Sequence, residues 1–522
     1  MKKSTKLLSL IISVLLLISS FASCTAGDPE ESSTPEAEAS TPVQSTPEET
    51  AGETTAESSS EETTEEPVIT TEESSSQSLE DLIPPAINLD REMTVFVGTL
   101  HYDEWLKEDD GDLVGTEIFF RVPRVEENLG IELNVTTYGG RDRTYIMDEM
   151  KKRQETTDPN LIVDAVSTYS QFAGTLTLEG RYQNIAQSDN INFDSPWWPD
   201  DLLVNSTIDD KVYFVSGDIS PTLIYETYAI FYNLQLIEKY NIENPIKLVN
   251  EHKWTLDKVI ELTSGIYEDL DKTTAGPNYG DFFAFNFNDT AHIKAFPFAM
   301  GARVIEPDKE DGYVWSPIYT GARMETICDK MVDWIQNNPG VMTALESYMK
   351  GNDTFKDGNC IFTVGNFAYA SHFLAGTGLN YAVVPCPLFD SEQDTYYSYY
   401  GNPTSIWGIP SNVDVDDSAA LLEALAADAY VYISPALFER ALKIKYVSGE
   451  VDGLSRMFDI IRDGLVFDAC MFYNEKLKDF YNGFIGIDDG ISSWSAQFNN
   501  FKLKGMNTRI TGIVDTLRKL PY

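Results

Sequence analysis

The sequence predicts an α/β protein of two lobes. Two observations lead there. Strand and helix patterns follow one another as β-α-β-α-β at the start of the folded part, the order of an open sheet with parallel strands. That part runs from about Asp81 to Tyr522, and a single hydrophobic core rarely grows beyond roughly 250–300 residues. Two lobes follow from the length, and the sheet from the order.

The chain opens with MKKSTKLLSLIISVLLLISS, in which Lys2, Lys3 and Lys6 precede an apolar stretch from Leu7 to Ile18. That stretch has the length of a signal h-region and falls short of the ~20 residues of a comfortable membrane span. Phe21-Ala22-Ser23-Cys24 follows it. These four residues resemble a bacterial lipobox, although Phe21 stands where the pattern usually has Leu. The resemblance implies a lipoprotein signal peptide at 1–23, cleavage before Cys24, and lipidation of Cys24. The expected location is the outer face of the cell membrane, since two or more acyl chains anchor stably where one binds marginally.

Thr25 to Glu80 is almost wholly Ser, Thr, Glu, Pro, Ala and Gly and contains no Lys or Arg. Such a segment buries too little apolar surface to offset the entropy of ordering it, and its like charges repel. Residues 24–84 are therefore expected to be a lipidated cysteine and an acidic, disordered tether. The formal net charge of the chain is −45. A surface of that sign repels phosphate backbones, so nucleic acid is not an expected partner.

Beyond the tether, Met93 to Val97 reads as a strand, Glu117 to Leu129 as a helix ended by Gly130, and Ile131 to Val135 as a second strand. Tyr145 to Gln154 reads as helical, and the run Leu161 to Val166 suits a buried parallel strand. In such sheets ligands sit beyond the carboxyl ends of strands, here near His101 to Trp105 and Ser167 to Ser170. Thr255 is a candidate N-cap for the next helix, Ala419 to Ala429 has strong helix propensity, and Pro435 suits a first turn. No run after the signal reads as long enough to cross a bilayer. Cys328, Cys360, Cys386 and Cys470 are far apart without C-x-x-C spacing, so they read as buried thiols or at most two incidental disulfides.

"RVEENLGIELNV", "LIVDAVSTYSQFAGTLTLEGRYQNI", "DDKVYFVSGD", "AIFYNLQLIEKYNIENP" and "WTLDKVIELT" follow in this order. "FKDGNCIFTVGNFAYA", "YAVVPCPLF" and "SPALFERALKIKYVSGEVDGLSRMFDII" come later. Together, over most of Met93 to Met471, they resemble the sugar-type, family 1 extracellular solute-binding proteins of bacterial ABC importers. Their order and spacing carry the resemblance. It implies a two-lobed, type II periplasmic-binding-protein-like fold with an interlobe cleft and several crossover strands. Lobe 1 is then expected over 85–222 and again over 401–455, and lobe 2 over 223–400 and 456–522. The first crossover is expected near Ser216 to Tyr225 and the second near Tyr396 to Trp407. The implied function is capture of a small solute, foremost a sugar or oligosaccharide, for an ABC permease. A monomer is expected, with no cofactor.

For the cleft, aromatic residues beside strand ends or crossovers stand out: Trp105, Tyr169, Tyr225, Tyr228, Tyr369, Tyr400 and Trp407. Flat apolar faces with polar rims suit sugar rings. A single aromatic is more often core, so the case rests on their joint placement. "GNFAYA", residues 365 to 370, resembles the stretch in which the family offers a platform from the second lobe, with Phe367 and Tyr369 where Trp is frequent. Ser170 and Glu226 are candidate hydrogen-bonding partners, whereas Asp164 reads as a strand-end residue satisfied by backbone.

Enzymatic readings are weaker. Ser347-x-x-Lys350 and Ser188-Asp189-Asn190 match two motifs of penicillin-recognising enzymes in the wrong order, and no K-T-G occurs. G-x-S-x-G, P-loop, G-x-G-x-x-G and H-E-x-x-H are absent, and His101, His252, His292 and His372 are scattered. No enzyme and no metal are expected. The alternatives are a surface carbohydrate-binding lipoprotein without a transport role and, behind it, a glycosidase.

Overall fold

β1 (Arg91–Gly98) shows how the first sheet is built. Its alternate residues Met93, Val95 and Val97 point into one core cluster, while Phe96 points into another, so both faces are covered. The computed structural model describes residues 78–99, 104–105, 111–139, 143–270, 272, 277–343, 354–374, 376–438, 453–487 and 493–521. The expectations for the signal peptide, Cys24, the tether to Gln77 and His101 lie outside these residues. The described residues belong to one compact unit.

The remaining strands among the described residues are β2 (Ile131–Tyr138), β3 (Ala165–Tyr169), β4 (Tyr228–Asn233), β5 (Tyr267–Glu268), β6 (Phe282–Phe287), β7 (Ile305–Asp308), β8 (Gly312–Trp315), β9 (Val341–Thr343), β10 (Cys360–Asn366), β11 (Tyr381–Val384) and β12 (Ser405–Gly408). One sheet has the order β12-β3-β1-β2. In it Val95 lies between Val135 and Ala165 in parallel register, and β12 is antiparallel to β3. The second sheet has the order β11-β4-β10-β6-β5, with β9 beside β6, and β7-β8 is a separate hairpin. These two sheets are the centres of the two lobes.

Local chemistry explains most boundaries. The helix Leu113–Leu129 begins earlier than the periodicity suggests because the Asp112 carboxylate caps Gly115 N at 3.1 Å. It ends at Gly130, whose φ of 62° is left-handed and whose missing Cβ leaves room for Asn88. β3 starts four residues later than the apolar run from Leu161, since Pro159–Leu161 winds into a 3₁₀ turn. Asp164, immediately before β3, accepts from Thr94 N at 2.7 Å and from Arg91 at 2.5 Å. The folded body also begins earlier than expected. Ile87 N and Leu89 N donate to Asn128 O and Leu129 O, which pins residues 79–90 to the first lobe.

The chain leaves the first sheet where Val215 bridges Trp407, and it enters the second at Tyr228. The intervening crossover is not a strand. Pro221 opens a short helix, Pro221–Tyr225, because its ring presets the first-turn φ. The return passes from Tyr400, bridged to Thr227, to β12.

After β12 the helix Val415–Asp428 covers the first sheet. With its continuation to Phe438 it is apolar and long enough to cross a membrane by length and composition, contrary to the sequence reading. Most of it is buried, however, and it packs on the Leu113–Leu129 helix as an internal element. The C-terminal helices lean on both lobes. Phe472 packs on Phe214 at 4.9 Å between centroids, and a Cβ on Gly174 would lie 2.4 Å from Phe472 O. The helix Met506–Lys519 also packs against β8. Cys328, Cys360, Cys386 and Cys470 are buried free thiols, so no disulfide joins them.

Candidate functional site

The two crossing segments given above and the ends of β3 and β10 meet at one seam between the sheets. Ser170, just past the carboxyl end of β3, donates its N to Thr404 O at 3.1 Å and its Oγ to Asn402 O at 2.9 Å. On the second lobe, Asn366 closes β10. Its Oδ1 caps the following turn at Tyr369 N, and its Nδ2 donates to the Glu226 carboxylate at 2.8 Å. Gly401 N reaches Glu226 O at 2.9 Å, and Tyr228 N reaches Tyr399 O at 2.9 Å. Ser170, Asn402, Gly401, Glu226 and Asn366 thus form one polar chain from lobe to lobe. Asn402 Oδ1 is buried and has no hydrogen-bond partner.

An aromatic and imidazole wall stands beside this chain. The Tyr228 ring lies 5.4 Å from Tyr399 and 5.6 Å, edge to face, from His292. His292 Nδ1 accepts from Asn288 N at 3.0 Å. The proton therefore sits on Nε2, and burial, partly opposed by Asp289, lowers the imidazole to about 4. At neutral pH this group is an uncharged donor. Two residues on, Lys294 donates to Asn482 Oδ1 at 2.9 Å, and burial brings its ammonium down to about 8. The seam offers hydroxyl, amide, carboxylate and neutral imidazole groups around a tyrosine face. The Ser170 hydroxyl hydrogen is committed to a carbonyl and not to a base. Among the described residues no group of three or more His, Cys, Asp or Glu is placed to hold a metal.

The expected site residues divide sharply. Ser170 and Glu226 lie in the seam. Tyr169 lies beside it, packed on Phe172 at 5.5 Å. Phe367 donates its N to Thr227 O but stacks its ring on Phe458 at 5.4 Å, and Tyr369 is buried against Phe231 at 5.9 Å. Tyr225 joins a small cluster with Val114, Ile118 and Ile433. Three further expected residues pack inside the cores. Trp105 and Trp407 belong to the first lobe's core, and Tyr400 is fully buried on Phe467 at 5.0 Å. Their large apolar rings gain more from complete burial than from half-exposure at a cleft. Asn366, Asn402, Asn288 and His292 were missed. A lone asparagine or histidine carries no spacing signal. Only the repeat "FNFND" at the end of β6 marked a place where polar groups face a strand end.

No family model matches the sequence, and no curated protein matches it. Solved structures do. The cyclic alpha-maltosyl-1,6-maltose binding protein from Arthrobacter globiformis superposes with a TM-score of 0.52 at 12 % identity, covering 81 % of this chain and 98 % of its own. A cyclo/maltodextrin-binding protein complexed with maltotetraose gives 0.50 at 16 % identity, covering 80 % and 97 %. The chain has the two-lobed, periplasmic-binding-protein-like fold. The seam at Ser170, Glu226, Asn366 and Asn402 joins strand ends of both lobes through the crossing segments.

Proposed function

We propose that this chain is an extracellular solute-binding lipoprotein that captures a sugar or oligosaccharide between its lobes and delivers it to an ABC permease. One observation carries the reading. Polar side chains of both lobes and of both crossings converge beside Tyr228, the composition a polyhydroxylated ligand requires for orientation and contact. The structural neighbours support the ligand class, since one is named for binding a cyclic maltosyl-maltose and another was solved with maltotetraose. Both are binding proteins, which agrees with a seam that lacks an activated nucleophile. Cys24 and the acidic tether complete the proposal by holding the lobes at the outer membrane face, clear of its surface.

A thermal-shift screen of the full chain against mono-, di- and oligosaccharides, maltotetraose among them, tests the ligand class. A ligand at 100 times its Kd adds about 2.7 kcal/mol of stability. Absence of a shift with every saccharide would overturn the sugar assignment. The anchor is tested separately by Cys24→Ala, which is expected to release the protein or leave an unprocessed precursor. Normal processing and membrane retention of that variant would remove the lipid anchor.

A further inference from the structure

Behind the seam lies a second polar cluster that ligand binding does not explain. Glu104, just past the end of β1, is 2 % exposed. Its Oε1 accepts from Thr222 N at 2.8 Å and from Thr222 Oγ1 at 2.5 Å, both in the first crossing. Ser405 Oγ, where the second crossing joins β12, donates to the same carboxylate at 2.9 and 3.0 Å. The two crossings are also bonded to each other here. Ser405 N donates to Thr222 Oγ1 at 3.2 Å, and the hydroxyls of Ser216 and Ser220 both donate to Ser405 O at 2.9 and 2.8 Å. One relay therefore runs from Ser405 N–H through the Thr222 hydroxyl to Glu104.

The relay rests on a rigid base. Trp105 packs on Trp407 at 5.4 Å and carries the Arg121 guanidinium 4.5 Å over its ring. Arg121 is fully buried and donates to the carbonyls of Glu104, Ile219 and Leu425, at 3.4, 2.9 and 3.3 Å. A buried carboxylate with three donors and a nearby buried cation is costly to leave half-satisfied, so the cluster holds together or fails together.

We propose that Glu104 is a positioning residue that locks the two crossing segments into one hinge element. Separate crossings would flex independently; joined through one carboxylate, they move as a unit, and bending falls on the residues outside the cluster. Gly401 to Pro403 and Glu226 to Thr227 lie on that outer side, next to the polar seam, so on the proposed function lobe motion is delivered beside the ligand.

Hydrogen exchange on the full chain, read by mass spectrometry, tests this. Thr222→Val lies in the first crossing, yet it is expected to raise exchange at Gly401–Trp407 as well as at Ser216–Thr227. Ser405→Ala is expected to do the reciprocal. Each rise should be about tenfold, the effect of one charge-assisted hydrogen bond on a local opening equilibrium. Glu104→Gln, which keeps one acceptor, should raise both segments less than Glu104→Ala. Effects confined to the substituted segment, or no rise in either, would overturn the lock. If Glu104→Ala does not fold, the two crossing variants still decide the matter.

Discussion

The indole rings of Trp105 and Trp407 pack 5.4 Å apart inside the first lobe, and Trp407 has no exposed surface. Trp407→Ala should therefore cost ~3–5 kcal/mol of stability, the range for truncating a buried aromatic. Chemical denaturation measures it. A variant of unchanged stability but weakened sugar binding would return Trp407 to the ligand site.

That outcome bears on what the sequence could reveal. Strands β1 and β2 were legible because their alternation is set locally by which face is buried, and the helix stop at Gly130 because only a left-handed residue closes it there. β3 starts later than the apolar run Leu161–Val166 because Pro159–Leu161 winds into a 3₁₀ turn and Asp164 is held by Arg91 and Thr94, far away in sequence. Two residues of the candidate seam could be named from topology. Ser170 and Glu226 sit at strand and crossover ends, positions that topology marks. Which aromatic lines a cleft and which fills a core depends on what packs opposite it, and Trp407 looks the same in sequence either way.

Asp218 and Arg462 form an ion pair between lobes. Asp218 follows the bridge to Trp407, while Arg462 lies on the helix Leu454–Asp463 that packs on β11. The guanidinium donates to the carboxylate at 3.1 and 3.3 Å, and Ser434 Oγ donates to the same group. Burial pushes the Asp218 carboxyl up, against the pull of Arg462. Arg462→Gln should destabilise by on the order of 1–2 kcal/mol, discounted because the Arg462 side chain is 35 % exposed. It should also loosen the lobes, read as a larger radius of gyration by small-angle scattering. Unchanged stability and radius would show that the pair carries no load between the lobes.

Two buried groups should pull acid stability in opposite directions. Burial raises the Asp468 carboxyl from 3.8 to about 6, although Val304 N and Cys470 N donate to it. A raised carboxyl favours the protonated fold, so its contribution is present below about pH 4 and is lost as pH rises through about 6, roughly 3 kcal/mol in all. His292 is lowered from 6.5 to about 4, so its contribution is present above 6.5 and is lost as pH falls toward 4. Melting curves from pH 4 to 7 should show the fall with rising pH flatten in Asp468→Asn and steepen in His292→Gln. Identical pH profiles for both variants and the parent would refute these environments.

Gly174 faces the C-terminal helices so closely that a Cβ would lie 2.4 Å from Phe472 O and 2.6 Å from the Tyr473 ring. Backbone cannot give way as a side-chain tip can. Gly174→Ala should cost ~1–3 kcal/mol as an overpacked contact and free the C-terminal helices for limited proteolysis. Parent-like protease resistance would mean that the contact relaxes without cost.

Within the seam, the asparagines should separate binding from folding. Asn366 has both ends of its amide committed, to Tyr369 N and to Glu226, so Asn366→Ala should lose about 1–2 kcal/mol of stability as a lost cap and carboxylate partner. Asn402 differs, because its Oδ1 is buried without a partner and is thus available to a ligand hydroxyl. Asn402→Ala should leave the melting temperature nearly unchanged, since no protein hydrogen bond to that oxygen is broken. Its affinity for whichever saccharide shifts the parent's melting temperature should fall about tenfold, the equivalent of one hydrogen bond of ~1.4 kcal/mol. Isothermal calorimetry on both variants decides. Full affinity in Asn402→Ala would move the ligand away from the second crossing, while a stability loss equal to that of Asn366→Ala would make Asn402 a structural residue.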